Sequence, residues 1–177
     1  MLSTHKAQVA ITDLIIALVI FLILLAVVLG TWNIYTTRYA EEMSYRNLEL
    51  TAFQAAQLLV TQQGIPNAWE NLDLEQPAEL AQLQVIGIAS SPMVFDPDKV
   101  NAVFLDLDTI TIAERLNIER YNFYLELTNL DNVELIEGKG DDPGLAPDTV
   151  HELVKLRRIV RYNNAPAYFY FSLWSEQ

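Results

Sequence analysis

Cysteine is absent from the 177 residues, so no disulfide staples the chain and no thiolate can hold a metal. An extracytoplasmic protein built without disulfides fits a prokaryotic exterior better than a eukaryotic secretory route. Histidine is nearly absent too: His5 and His151 stand alone, neither with a ligand partner at metal-site spacing. Positive charge is scarce. There are 11 Lys and Arg against 23 Asp and Glu, a net charge of −12, and from Gly64 onward the count is 8 against 19. Such acidity keeps a domain soluble and argues against nucleic acid or anionic lipid as partners.

Motifs that carry chemistry are missing as well. The chain has no glycine-rich phosphate loop, nucleophile elbow or paired-acid motif. Asp96-x-Asp98 fails as a calcium loop, because Val100 replaces an oxygen ligand, Asn101 stands where glycine belongs and Leu107 replaces the final Glu. Asp106-x-Asp108 and Asp141-Asp142 read as helix caps and solvated turns. No Asn-x-Ser/Thr acceptor occurs. The expectation is a non-enzyme with no cofactor and no metal.

What the chain does have begins at Leu14. Sixteen apolar residues run unbroken to Leu29, and no charge appears from Leu14 through Thr37. Fourteen of the sixteen are Leu, Ile, Val or Phe, each favouring insertion by roughly 0.3–0.6 kcal/mol, about 4–8 kcal/mol together. Asp13 at the mouth of the run costs ~3 kcal/mol at the bilayer centre and less near an end, so the apolar run wins. The buried helix of a soluble domain should carry a polar stripe, and this run has none. A cleavable secretory signal is disfavoured because the residues after Ala26, Val-Val-Leu-Gly-Thr-Trp-Asn, put bulky side chains where small ones belong. Lys6 before the run and Arg38 after it do not settle orientation by charge. The short stub in front favours a cytoplasmic N-terminus with the large remainder exported.

Between Val9 and Gln63 there is no proline and a single glycine, Gly30, so up to 55 residues can form one rod. Trp32, Tyr35 and Tyr39 fit an aromatic belt at the membrane exit. From Leu48 to Val60 apolar residues cover most of the circumference, leaving a polar strip of Asn47, Thr51, Gln54, Gln57 and Thr61. An ordinary surface helix buries a narrower arc. This one asks for cover on two sides, one from its own domain and the other from that domain again or from neighbouring copies. Gly64 and Pro66 close the rod in C-terminal order.

Lys6, Ala7 and Gln8, followed by Val9-Ala-Ile-Thr-Asp-Leu14, resemble the class III signal peptide of archaeal type IV pilin-like proteins. The resemblance covers about residues 5–35 and the general layout of a long helix under a β-rich head; residues 65–177 carry no family signature. It implies that a membrane prepilin peptidase cuts between Ala7 and Gln8. It also implies that an assembly ATPase and platform protein draw the helix into a filament of pilin subunits, with lipid as the partner before assembly. The usual residue before the cut is Gly, where this chain has Ala7. Many pilins carry Glu at the fifth mature position; here Thr12 stands there and Asp13 follows. By resemblance, Asp13 takes the assembly role of that acid and pairs with a neighbour's new N-terminal amine. A local alternative is a carboxylate favoured by the helix dipole, worth ~0.3–1 kcal/mol.

The segments that follow read as short helices and strands. A short helix is expected after Pro77, a strand or buried turn at Val85–Ala89, a helix capped by Asp96 with Pro97 in its first turn, and a capping box at Thr111–Glu114. Tyr121 to Thr128 alternates as a half-buried strand, Asn129–Asn132 turns into Val133–Glu137, and Gly138–Pro147 is a loop. Leu153–Tyr162 and Ala167–Trp174 form a hairpin through Asn163–Pro166. On its last strand Phe169, Phe171 and Leu173 face the helix. Tyr168, Tyr170 and Trp174 share the other face with Tyr124, there to be covered by the small helices or used for contacts. Lys155, Arg157, Arg158 and Arg161 cluster on one strand, to be paired across the sheet with Glu126, Glu134 or Glu137 or to meet the next subunit.

The expected fold is therefore α+β. A long N-terminal helix, membrane-spanning and then amphipathic, packs on a small antiparallel sheet of about four strands with short helices. The expected organisation is a leader at 1–7, a transmembrane or filament-core helix at 8–32, its extension at 33–63 and an extracytoplasmic head at 64–177. Three functions fit: a subunit of a surface filament, membrane-bound as a precursor; a signal-anchored extracytoplasmic binding domain that never polymerises; and a secreted protein cut after the apolar run.

Overall fold

In the computed structural model, residues 3–144 and 150–176 are described, with side chains from residue 13 onward. The chain is α+β and divides into two compact units, Met1–Ser44 and Tyr45–Gln177, with the division inside helix α1, Ser3–Thr61. The first unit is helix throughout its described residues. The second is a six-stranded sheet with short helices around the last turns of α1.

That second unit begins at Tyr45 rather than Gly64 because a face of α1 belongs to its core. Leu48, Ala52, Ala55, Ala56, Leu59 and Val60 recur at helical spacing and are buried. The small residues let backbone approach, while Leu48, Leu59 and Val60 each contribute about 1.5–3 kcal/mol of burial. Against them pack Phe123, Leu125 and Leu127 of β3 (Asn122–Thr128) and Phe169, Phe171 and Leu173 of β6 (Ala165–Glu176). Phe169 meets Phe95 edge to face at 5.3 Å.

The sheet order is β1-β2-β5-β6-β3-β4. The central antiparallel strands are the expected ones, and the structure adds more. β1 (Ala89–Ser91) and β2 (Val94–Phe95) form a small ribbon that joins β5 (Val150–Tyr162) in parallel at Val94 opposite Arg161, so the sheet is mixed. β4 (Glu134–Gly140) continues where a loop was expected, because Tyr124 lies across Gly138 and covers a residue with no side chain of its own. Leu145 to Pro147 of that expected loop lie outside the described residues. The β5–β6 hairpin turns in two residues, Asn163 and Asn164, at φ 48° and 62°. Both tolerate the left-handed conformation that a type I′ turn requires.

The short helices follow their caps. α2 is Pro77–Leu80, and α3 (Pro97–Asn101) is capped by Asp96, whose carboxylate accepts from the Asp98 N–H at 3.0 Å. A π-helical turn, Ala102–Asp106, follows. α4 (Thr109–Leu116) corrects the capping box expected at Thr111–Glu114: its cap is Asp108, and Thr111 sits in its first turn. Asp108 accepts from the Thr111 N–H at 2.6 Å and the Thr111 hydroxyl at 2.9 Å, so the shorter acid three residues earlier takes the cap.

The end of α1 leaves carbonyls that no helical N–H can reach. Later segments of the same unit supply the donors. Ile88 N–H bonds Leu59 O at 3.2 Å, Met93 N–H bonds Val60 O at 2.9 Å and Ala89 N–H bonds Gln62 O at 3.1 Å. Lys99, 4 % exposed, donates to Gln63 O at 2.7 Å and Asn67 O at 2.6 Å, with the Glu70 carboxylate 3.9 Å away. Gly64 at φ 84° lets the chain turn under the Trp69 ring, whose indole N–H bonds Gly87 O at 3.1 Å.

Lys99→Met keeps the stem and removes both bonds. It should destabilise the protein by about 2–3 kcal/mol, read from Trp fluorescence during urea unfolding in detergent. Asp108→Ala should cost about 1 kcal/mol. The Thr111 N–H holds the Asp108 carboxyl below its ordinary value, with the Thr111 hydroxyl assisting against the opposing effect of burial. That stabilisation is present above the unfolded-state pKa and is lost as pH falls through the lower folded value. The difference in unfolding free energy between wild type and Asp108→Ala should therefore shrink below about pH 4.

Candidate functional site

In the first unit, every residue from Asp13 to Ser44 is exposed, and the large apolar side chains between Leu14 and Leu29 are 41–70 % exposed. This helix is long and apolar enough to cross a membrane. Its polar groups are handled internally: Thr31 Oγ donates to Val27 O at 2.8 Å, Thr36 Oγ to Trp32 O and Thr37 Oγ to Asn33 O, both at 3.0 Å. Back-bonding of this kind hides hydroxyls from an apolar solvent. Trp32, Tyr35 and Tyr39 follow, all exposed.

Lys6, Ala7 and Gln8 lie within the helical span of α1, and their side chains are outside the described residues. Asp13 is exposed on the same helix. The first turn of α1 holds no acid, since the helix begins at Ser3.

The expectation of two apolar sides on Leu48–Val60 is met unevenly. Opposite the buried face, Leu50, Phe53 and Gln54 are exposed and Gln57 is half-buried. The Arg158 guanidinium lies 5.2 Å from the Phe53 ring centroid. Arg158 is thus on the helix-facing side of β5, opposite Phe169, while Lys155, Arg157 and Arg161 alternate onto the other face. The expected cluster of four is split by the period of the strand.

On the outer face, β6 separates the cations of β5 from the acids of β3 and β4. Arg157, Tyr170 and Glu126 form one row across the sheet. Two strand spacings, about 10 Å, hold Arg157 and Glu126 apart at the backbone. The cations settle on rings instead: Lys155 Nζ is 5.2 Å from the Tyr170 centroid and Arg157 4.9 Å from that of Tyr168. Tyr168 and Tyr170 are half-buried, and Tyr170 Oη donates to Asn132 Oδ1 at 3.1 Å. Trp174, expected beside them, is buried at 2 % exposure. None of this ring-cation pairing was foreseen; the signal was the alternation of β5 set against that of β6.

An open cleft of about 320 Å³ lies between α4 and β3, lined by Ile110, Glu114, Glu119, Tyr121 and Asp141 among others. Among the described residues no group of three or more His, Asp or Glu is placed to hold a metal ion. No protein-family model matches the chain, and no curated protein or solved structure matches it.

Burial raises the Tyr124 phenol above its ordinary value, helped by the Asp142, Glu134, Glu126 and Glu137 carboxylates. Its neutral form therefore stabilises the folded chain below about pH 10, and that contribution is lost as pH rises through the raised value. Tyr124→Phe should lose less stability than wild type between pH 9 and about 11, as thermal unfolding across that range will show.

Proposed function

We propose that this chain is a structural subunit of an archaeal type IV pilus-like surface filament. Before assembly it sits in the cell membrane with its N-terminus in the cytoplasm. A prepilin peptidase removes residues 1–7 at Ala7/Gln8, and an assembly ATPase with its platform protein moves the helix from lipid into the fibre. In that fibre the apolar side chains of α1 exchange lipid for the flanks of sister helices, and Asp13 faces a neighbour's Gln8 amine. The reading assigns the chain no catalysis, cofactor or nucleic acid.

The observation that carries this reading is the helix of the first unit, exposed all round and apolar from Leu14 to Leu29. A surface of that kind demands an apolar surround, and sister helices supply one outside the bilayer as lipid does within it. The exposed Leu50 and Phe53 extend the same demand beyond the aromatic belt.

A second reading, a signal-anchored extracytoplasmic domain that stays single, draws on another observation. The six buried positions of Leu48–Val60 are already covered by the chain's own sheet, which leaves only two large apolar side chains on the other side. Mass spectrometry of the native N-terminus separates the two. Gln8 at the start is the filament outcome; Met1 is the anchor outcome.

Ala7→Leu places a bulky side chain where the cut requires a small one. The variant should retain its leader, accumulate in the membrane and yield no filaments. Normal maturation of Ala7→Leu would sink the filament reading.

A further inference from the structure

The two margins of the sheet differ in charge. β5 meets β2 only at Arg161, so from Val150 to Val160 its outer margin has no strand beside it among the described residues. Lys155, Arg157 and Arg161 are exposed on the outer face of this strand around Ile159, itself 64 % exposed, where Lys155 and Arg157 also lie over the Tyr170 and Tyr168 rings of β6. These are three of the eight Lys and Arg that follow Gln63. The opposite margin is β4 with the turn that precedes it. Leu130, Val133 and Leu135 are exposed there, interleaved with Asp131, Glu134 and Glu137.

Within one molecule these margins never meet, because β6 and β3 lie between β5 and β4 and hold them about 15 Å apart. We propose that they meet between molecules: the β5 margin of one copy docks the Leu130–Glu137 corner of the next. The contact joins unlike patches, so each copy keeps a second margin for a further copy and the contact propagates beyond a dimer. Opposite charge steers the approach and sets the register, and Ile159 against Leu130, Val133 and Leu135 supplies the apolar centre. Side chains carry the contact rather than backbone pairing. Leu135 is an extra residue between the pairs Thr128–Glu134 and Leu127–Ile136, and a bulge of this kind spoils a strand margin as a template. Glu134 is partly engaged at home, accepting from the Gly138 N–H at 2.8 Å. Asp131 and Glu137 therefore face the cations.

The docking goes beyond the filament reading, because it needs only copies held side by side by their helices, in lipid or in a fibre. The absence of native cysteine makes cross-linking clean. A full-length chain carrying both Ile159→Cys and Leu135→Cys, oxidised in intact cells, should give a ladder of covalent oligomers, and each single variant should stay monomeric. Both positions are exposed, so neither change disturbs the core. Monomer from the double variant, or dimer from either single one, overturns the proposal.

Adding Lys155→Glu and Arg157→Glu should cut the ladder about tenfold or more, since like charges then face each other. Adding Asp131→Lys and Glu137→Lys to that same chain should restore it. An unchanged ladder in the first case, or no recovery in the second, counts against the docking. The N-terminal mass of the same material reports separately on maturation: Met1 with a ladder defeats the filament reading alone, and Gln8 without a ladder defeats the docking alone.

Discussion

Every α-helix ends in carbonyls that its own backbone cannot satisfy, and in this chain those of Leu59 and Val60, with those of Gln62 and Gln63 just past the helix, are where the rest of the second unit takes hold. Three backbone N–H groups and the Lys99 ammonium converge on them. Around the Leu59 and Val60 carbonyls the surroundings are dry: Leu59, Val60 and Ile88 are fully buried, and an unpaired carbonyl there costs about 1–3 kcal/mol. The same constraint explains the local sequence. Gly64 admits a left-handed turn beneath Trp69, and Gly87 admits the Gln62 carbonyl, where a side chain on either would collide. β1, β2 and α3 are laid out by this knot, and β5 meets the ribbon they form at Arg161.

A second division of labour runs along α1. Up to Ser44 the described residues rely on whatever surrounds them, and from Leu48 the helix has one face covered by the sheet. The residues change accordingly. Leu, Ile and Val crowd the first stretch, where the chain's own sheet covers no face of the helix. Alanine takes Ala52, Ala55 and Ala56 where a fixed sheet must approach closely. Threonine serves in the transition, bonding back to its own helix at Thr31, Thr36 and Thr37.

Strong local signals were readable from the residues alone. The apolar run, the Asp96-Pro97 cap, the alternation of β3 and the β5–β6 hairpin each rest on contacts within a few positions, and the sequence holds all of that information. Features that depend on distant partners were not readable. β1 and β2 are too short to show a period, and their pairing is fixed by the end of α1. β4 runs through Gly138, against which the distant Tyr124 ring is packed. Asp108 outcompetes Thr111 as a cap because both lie within one turn and the acid accepts from two groups at once. The cations of β5 find rings because β6, rather than β3, is their neighbour, which no count of charges reveals. Lys6, Ala7 and Gln8 were legible through resemblance alone.

The bonds at the end of α1 also have a mechanical meaning. A helix presents its last carbonyls along its own axis, so the donors from Ile88 to Leu59 and from Met93 to Val60 lie in the line of any pull on the rod. Tension along α1 loads them together instead of peeling them one at a time. A tether built this way yields at the strength of the set.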